Sequence, residues 1–201
     1  MQVTGGLDRT FTANARRAQI IAATIETIAD LGYGQASFAR IAERAGLSST
    51  RLISYHFAGK QELIEQIVTE VYGQIGRFMA ERMAGQTTAA GALRAYIEGT
   101  IDFIATHRTP MKALLGIFLA GGLPYEPTET ELVTLAPVER ILRDGQRGGE
   151  FRAFDTRVVA ASIQRSLDGI PMLLESHPDL DLAACAGELV ILYDLATRRT
   201  P

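Results

Sequence analysis

Apolar side chains recur at helical spacing along the first 83 residues in four blocks. Ile20, Ile21, Thr24, Ile25, Ile28 and Leu31 form a stripe that stops at Gly32, after which Tyr33 and Gly34 turn the chain. Phe38, Ile41, Ala42 and Ala45 mark a short second helix, opened by the N-cap residue Ser37. Gly46 stands where a helix ends in the left-handed conformation, and Leu47 plugs the corner. Ser48 is placed to cap a third helix whose inward residues are Leu52 and Ile53. From Lys60 the residues Leu63, Ile64, Ile67, Val68, Val71, Ile75, Phe78 and Met79 keep one 3.6-residue rhythm to about Met83. That is a rod of roughly 35 Å.

The remaining blocks are helical as well. Leu93, Ile97, Ile101 and Ile104 predict a helix over 89–106, Thr109 and Pro110 open one over 109–120, and another covers 129–145 with Pro137 as a kink or a later start. Val159, Ile163, Leu167, Ile170 and Leu174 share a stripe over 156–176 that Pro171 bends. Asp181 caps a last helix carrying Leu182, Ala186, Leu189, Tyr193 and Ala196. Residues 1–11 lack periodicity and read as a loose arm, 121–127 as a loop and lid, and 148–155 as a loop with two aromatic anchors. No strand-like alternation occurs, so the fold class is all-α with about nine helices. An N-terminal three-helix domain (1–59) contains two short helices joined through a glycine, a helix-turn-helix, and 60–201 forms a second helical domain.

The helix-turn-helix carries reading chemistry. Ser48, Ser49, Thr50 and Arg51 put small or polar donors and acceptors at the end that a recognition helix inserts into the major groove. Tyr55, His56 and Lys60 can reach phosphate oxygens, with Phe57 as the anchor and Ser37 at the neighbouring helix start. The run A-G-L-S-S-T-R-L-I-S-Y-H-F-A-G-K-Q-E-L and the helix before it resemble the tetracycline-repressor (TetR) family of regulators over residues 12–68. Gly46 and Phe57 stand eleven residues apart, one more than in the commonest form of the motif, which bears on the register of Ser49 to Arg51 against the bases.

A formal net charge of −3 is unusual for a nucleic-acid binder, but it is unevenly spread. Residues 1–60 hold seven Lys and Arg against four acids, so the basic surface is at one end. Arg9, Arg16 and Arg17 could extend a phosphate footprint. The three histidines are scattered and Cys185 is the single cysteine, which leaves no metal-ligand spacing and no internal disulfide. Neither phosphate-loop nor Gly-x-Ser-x-Gly patterns occur, so no enzyme and no cofactor are expected. No apolar run is long enough for a membrane span and no signal peptide is evident, which points to the cytoplasm.

Three further expectations follow. One short recognition helix reads too few base pairs alone, so a two-fold homodimer on a near-palindromic double-stranded operator is expected. The resemblance implies pairing through the last two helices, by Val159, Ile163, Leu167, Ile170, Leu174, Leu182, Ala186, Leu189 and Tyr193, and repression rather than activation. Aromatics and Met beside the Gly-Gly-Leu-Pro-Tyr loop suit an apolar effector pocket: Phe78, Ile97, Ile101, Phe103, Ile104, Met111, Leu115, Phe118, Leu119 and Tyr125. The polar residues Glu98, Thr100, Asp102, His107 and Gln164 could orient the ligand. The alternative is a helical small-molecule-binding or scaffolding protein whose DNA-binding head is vestigial.

Overall fold

The computed structural model describes residues 4–123 and 127–199, with side chains over 12–123 and 132–199. Among these residues there are ten α-helices, one 3-10 turn at Tyr33–Gln35, and no strand beyond an isolated bridge between Phe151 and Arg198. By internal contacts the chain divides into two compact units, Met1–Tyr72 with Thr109–Pro124, and Gly73–Arg108 with Tyr125–Pro201. The division expected at 59/60 therefore differs in two ways. The rod α4 (Lys60–Met83) carries the chain from one unit into the other, and α6 (Arg108–Leu119) belongs almost wholly with the first. The physical reason is the inward stripe Ala113, Leu114 and Ile117, which is buried; Gly116 lies against Ile28.

In the first unit, α1 (Thr4–Leu31) packs on α2 (Phe38–Arg44) and α3 (Arg51–His56). The helix starts at Thr4, well before its apolar stripe begins at Ile20, so residues 4–11 continue α1 rather than form an arm. Ile20, Ile28, Ile41, Ile53, Phe57, Leu63, Ile64 and Ile67 are fully buried. Thr24 and Thr27 join this core because each hydroxyl donates to a carbonyl one turn back, Ile20 at 2.7 Å and Ala23 at 2.6 Å.

In the second unit α5 (Ala89–Thr106) is the central helix, touching α7 (Pro127–Arg147), α8 (Thr156–Asp168), α9 (Ile170–Ser176) and α10 (Leu182–Thr197). Thr88 caps α5 by accepting from Gly91 N–H at 3.0 Å, and the Glu150 carboxylate accepts from Ala89 and Ala90 at 2.9 and 3.1 Å. Asp155 and Asp181 cap α8 and α10 in the same way. The single helix expected over 156–176 is two. Pro171 cannot donate to the carbonyl a turn earlier, so the helix breaks at Gly169 and restarts with the proline in the first turn of α9. Pro137, in contrast, lies within a continuous α7.

Candidate nucleic-acid interface

The turn between α2 and α3 is made by local chemistry. Ser37 caps α2, its Oγ accepting from Arg40 N–H, and Ile41, Ala42 and Ala45 are buried. Gly46 adopts φ 61°, a region that only glycine enters cheaply, and the Leu47 N–H bonds back to Ala42 C=O at 2.8 Å. The cap of α3 is not Ser48, as expected. Ser49 Oγ accepts from Arg51 N–H at 3.1 Å and Thr50 is the residue before the helix, so Ser48 is exposed in the turn.

α3 is anchored by two buried residues and exposes most of the rest. Ile53 is completely buried and Phe57 is 1% exposed. Ser48, Ser49, Thr50 and Arg51 are exposed, as is Ser54 one turn after Thr50, a residue that the pattern had not singled out. Tyr55 is 81% exposed with its ring edge-on to His56 at 5.1 Å.

Arg17 has a different place from the expected phosphate contact. Its guanidinium donates to the His56 carbonyl at the end of α3, lies 4.4 Å from the centroid of the Phe57 ring, and pairs with Glu62 at 3.6 Å. Glu62 in turn accepts from Ala58 N–H at 2.6 Å just before α4. Arg17 thus braces α1, the end of α3 and the start of α4. Partial burial, and then the charges of Arg17 and Arg16, hold the His56 imidazole below its ordinary pKa. His56 is therefore neutral near pH 7. Lys60 is half-buried, its Nζ donating to Tyr33 C=O at 3.1 Å over the Tyr33 ring. Arg16 bonds Gln19 at 2.8 Å, and Arg9 lies outside the described side chains.

Residues 20–67, the stretch that builds this geometry, match the family model of the bacterial regulatory proteins of the tetR family. Over this stretch the chain is similar to the TetR family. It is 39% identical over 104 residues to the HTH-type transcriptional regulator BetI 1 of Chromohalobacter salexigens, a match covering 51% of each chain. With BetI of Escherichia coli it shares 34% over 105 residues, 51% of this chain and 53% of that one. The chain thus spans about half the length of the curated relatives it matches. Those relatives are named as regulators and not as enzymes. The fold extends further. A tetR-family regulatory protein of Rhodococcus RHA1 superposes with a TM-score of 0.75 at 23% identity, over 88% of this chain and 94% of that one. FadR of Bacillus subtilis, solved with stearoyl-CoA, gives 0.70 at 24% identity over 87% and 96%.

Most side chains of the expected dimer stripe are turned into the protomer. Ile163, Leu167, Ile170, Leu182, Ala186 and Tyr193 are buried within the protomer, while Val159, Leu174 and Leu189 are half-buried. They face inward because α5 and its neighbours need them, and Tyr193 Oη also meets Ser162 and Ser166 hydroxyls at 3.1 and 2.8 Å. The apolar residues left outside are Val158 on α8, Met172 and Leu173 on α9, and Ile191, Leu192 and Leu195 on α10.

The expected effector residues are also not one pocket. Ile97, Ile101, Phe103 and Ile104 are at most 2% exposed, filled in by one another and by Phe78, whose ring meets Phe103 at 5.5 Å. Phe103 is stacked on His107 at 4.0 Å. Met111 and Leu115 are half-buried on α6, Phe118 and Leu119 are 44% and 68% exposed, and Tyr125 lies outside the described residues. The polar candidates have partners already: Asp102 pairs with Arg82 at 3.0 Å, Glu98 with Arg94 at 3.7 Å, Thr100 donates to Tyr96 C=O, and Gln164 accepts from Tyr96 Oη at 2.8 Å. Burial pushes that Tyr96 phenol up to about 12, with Asp168 adding to the shift. A cavity of about 130 Å³ does open in the second unit, between α5 and α10, and only Ile97 of the expected set lines it.

Proposed function

We propose that this chain is a transcriptional regulator that binds a near-palindromic double-stranded operator as a homodimer in the cytoplasm and represses until a small effector releases it. The observation that carries the DNA-binding reading is the division of α3. Ile53 and Phe57 are wholly inside while Ser49, Thr50, Arg51 and an 81%-exposed Tyr55 face out, beside the α4 start with Lys60. The homodimer is supported by α10, which buries Leu182, Ala186, Val190 and Tyr193 yet leaves Ile191, Leu192 and Leu195 about half exposed. A helix apolar on both faces is one that gets covered on both. No described helix is long and apolar enough to cross a membrane, so a second copy of the chain is the fitting cover.

The effector takes a changed form. The 130 Å³ cavity has an apolar floor of Leu93, Ile97, Phe151 and Val190, with Arg94, Asp194 and Thr197 beside it. It is below the roughly 300 Å³ at which drug-sized sites begin, so a large effector requires the α5 core to open. FadR, which shares the fold, was solved with stearoyl-CoA, and that makes acyl-CoA a first probe. The decisive experiment is selection of bound duplexes from a random-sequence pool. An inverted repeat is the expected product; recovery of no sequence preference refutes operator reading. Thermal-shift titration with stearoyl-CoA, followed by titration of the selected duplex, then tests release.

A further inference from the structure

We propose that Tyr33 is a positioning residue that aims the Lys60 ammonium at the DNA backbone, with its own ring held by the end of α6. The assignment rests on the DNA-binding reading above. Lys60 is the first residue of α4, where a cation stands against the positive end of the helix dipole and needs compensation from outside the helix. The compensation comes from Tyr33. Nζ donates to the Tyr33 carbonyl at 3.1 Å and lies 4.3 Å from the centroid of its ring. An ammonium has three donors; the carbonyl uses one and the ring face engages another, so one stays available for a phosphate oxygen at the helix start, where anions are favoured. A lysine held in place before DNA arrives also loses less rotamer freedom on binding than one free in solution.

The Tyr33 ring is fixed from behind. A Cβ built on Gly122 would stand 2.9 Å from the Cε2 and Cζ ring carbons and 3.1 Å from Ile117 Cγ2. The closest approach of backbone to ring is possible only because residue 122 has no side chain. Gly122 is in turn fixed by its N–H bond to Ile117 C=O at 2.9 Å, after Gly121 turns the end of α6 at φ 64°. Tyr33, Lys60 and Gly122 all belong to the first unit, and the sequence separates them widely.

The test is a pair of double-mutant cycles on the full chain: Tyr33→Leu and Gly122→Ala, each alone and combined with Lys60→Ala. Binding of a fluorescein-labelled mixed-sequence duplex is measured by anisotropy across a salt series, with thermal melting of every variant. Lys60→Ala should lower the magnitude of the log–log salt slope by about one. Tyr33→Leu, which keeps the carbonyl and removes the ring, should weaken binding roughly two- to five-fold, the weight of an exposed cation–π contact. Gly122→Ala should act in the same direction while melting as a folded protein, and serves if Tyr33→Leu does not fold. In the Lys60→Ala background neither change should have further effect. If their effects instead multiply with that of Lys60→Ala, Tyr33 does not act through Lys60 and the assignment falls, with the DNA-binding reading intact. A wild-type protein with no salt-dependent binding overturns both.

Discussion

Leu192→Asp separates the outer face of α10 from its inner one. Leu192 is 54% exposed, so the protomer itself should fold with an aspartate there. Full burial of a leucine contributes about 1.5–3 kcal/mol, and covering the exposed half therefore about 1 kcal/mol. In a two-fold interface the residue occurs twice, which makes about 2 kcal/mol lost. Two carboxylates taken out of water add a penalty that reaches several kcal/mol even after relaxation. A total above about 4 kcal/mol corresponds to a roughly thousandfold weaker dimer. Light scattering on a size-exclusion column over a dilution series measures it, with circular dichroism to show that the monomer is folded. The control is Ile170→Asp, at 2% exposure, which should unfold the protein rather than yield a monomer. A Leu192→Asp protein that dimerises with the wild-type constant places the interface elsewhere.

Arg51→Ala should relax preference at particular base pairs by about 1–3 kcal/mol each, read from binding to single-base operator variants, while Lys60→Ala should weaken all duplexes alike. A dimer neutralising about six phosphates should show a log–log salt slope near about −5, and a flat salt titration would refute the electrostatic part. His56 has its folded pKa below 6.5, so the unfolded chain binds the extra proton first; stability should fall as pH drops below 6.5 and be level above it. A nearby phosphate favours the imidazolium, so duplex affinity should rise on acidification from about pH 7.5 to about 6, and His56→Gln should flatten that rise in anisotropy titrations. Phe57→Ala, at 1% exposure, should cost about 3–5 kcal/mol in denaturant unfolding, because it removes both the anchor of α3 and the ring under Arg17.

The reading pair was legible in the sequence because its information is local. Ser37 to Ala45, Gly46 and the start of α3 need only neighbours a few residues away, and the helix ends at Gly32 and Gly46 follow from glycine's access to positive φ. The brace was not legible. Arg17 meets the His56 carbonyl 39 residues on, and nothing in its surroundings on α1 distinguishes it from Arg16, which bonds Gln19 one turn along its own helix. Lys60 read as a phosphate contact, but its hold on Tyr33 depends on a contact across 27 residues. The extent of the first unit was hidden for the same reason, since the helix that joins it, α6, comes after α4 and α5 in the chain.

α10 shows why a stripe predicts a helix better than a face. Leu182, Ala186, Val190, Tyr193 and Thr197 follow one another at steps of four or three, and Ile191 and Leu195, with Leu192 beside them, keep the same step on the other side. Where a helix is apolar all round, periodicity contains no direction, and only the helix it packs against breaks the tie. α5 breaks it here: its buried Leu93 and Ile97 line the same cavity as Val190 and Thr197, so that side of α10 turns inward. The other side is then left over. The same physics governs the effector residues. Leu, Ile and Phe at helical spacing satisfy a closed core and an open pocket equally well in composition, and the difference is whether neighbouring side chains fill the volume. Phe78 against Phe103, and Phe103 against His107, fill it, so a ligand at that place must displace rings that already have partners. It will therefore bind only as tightly as its contacts exceed those it breaks.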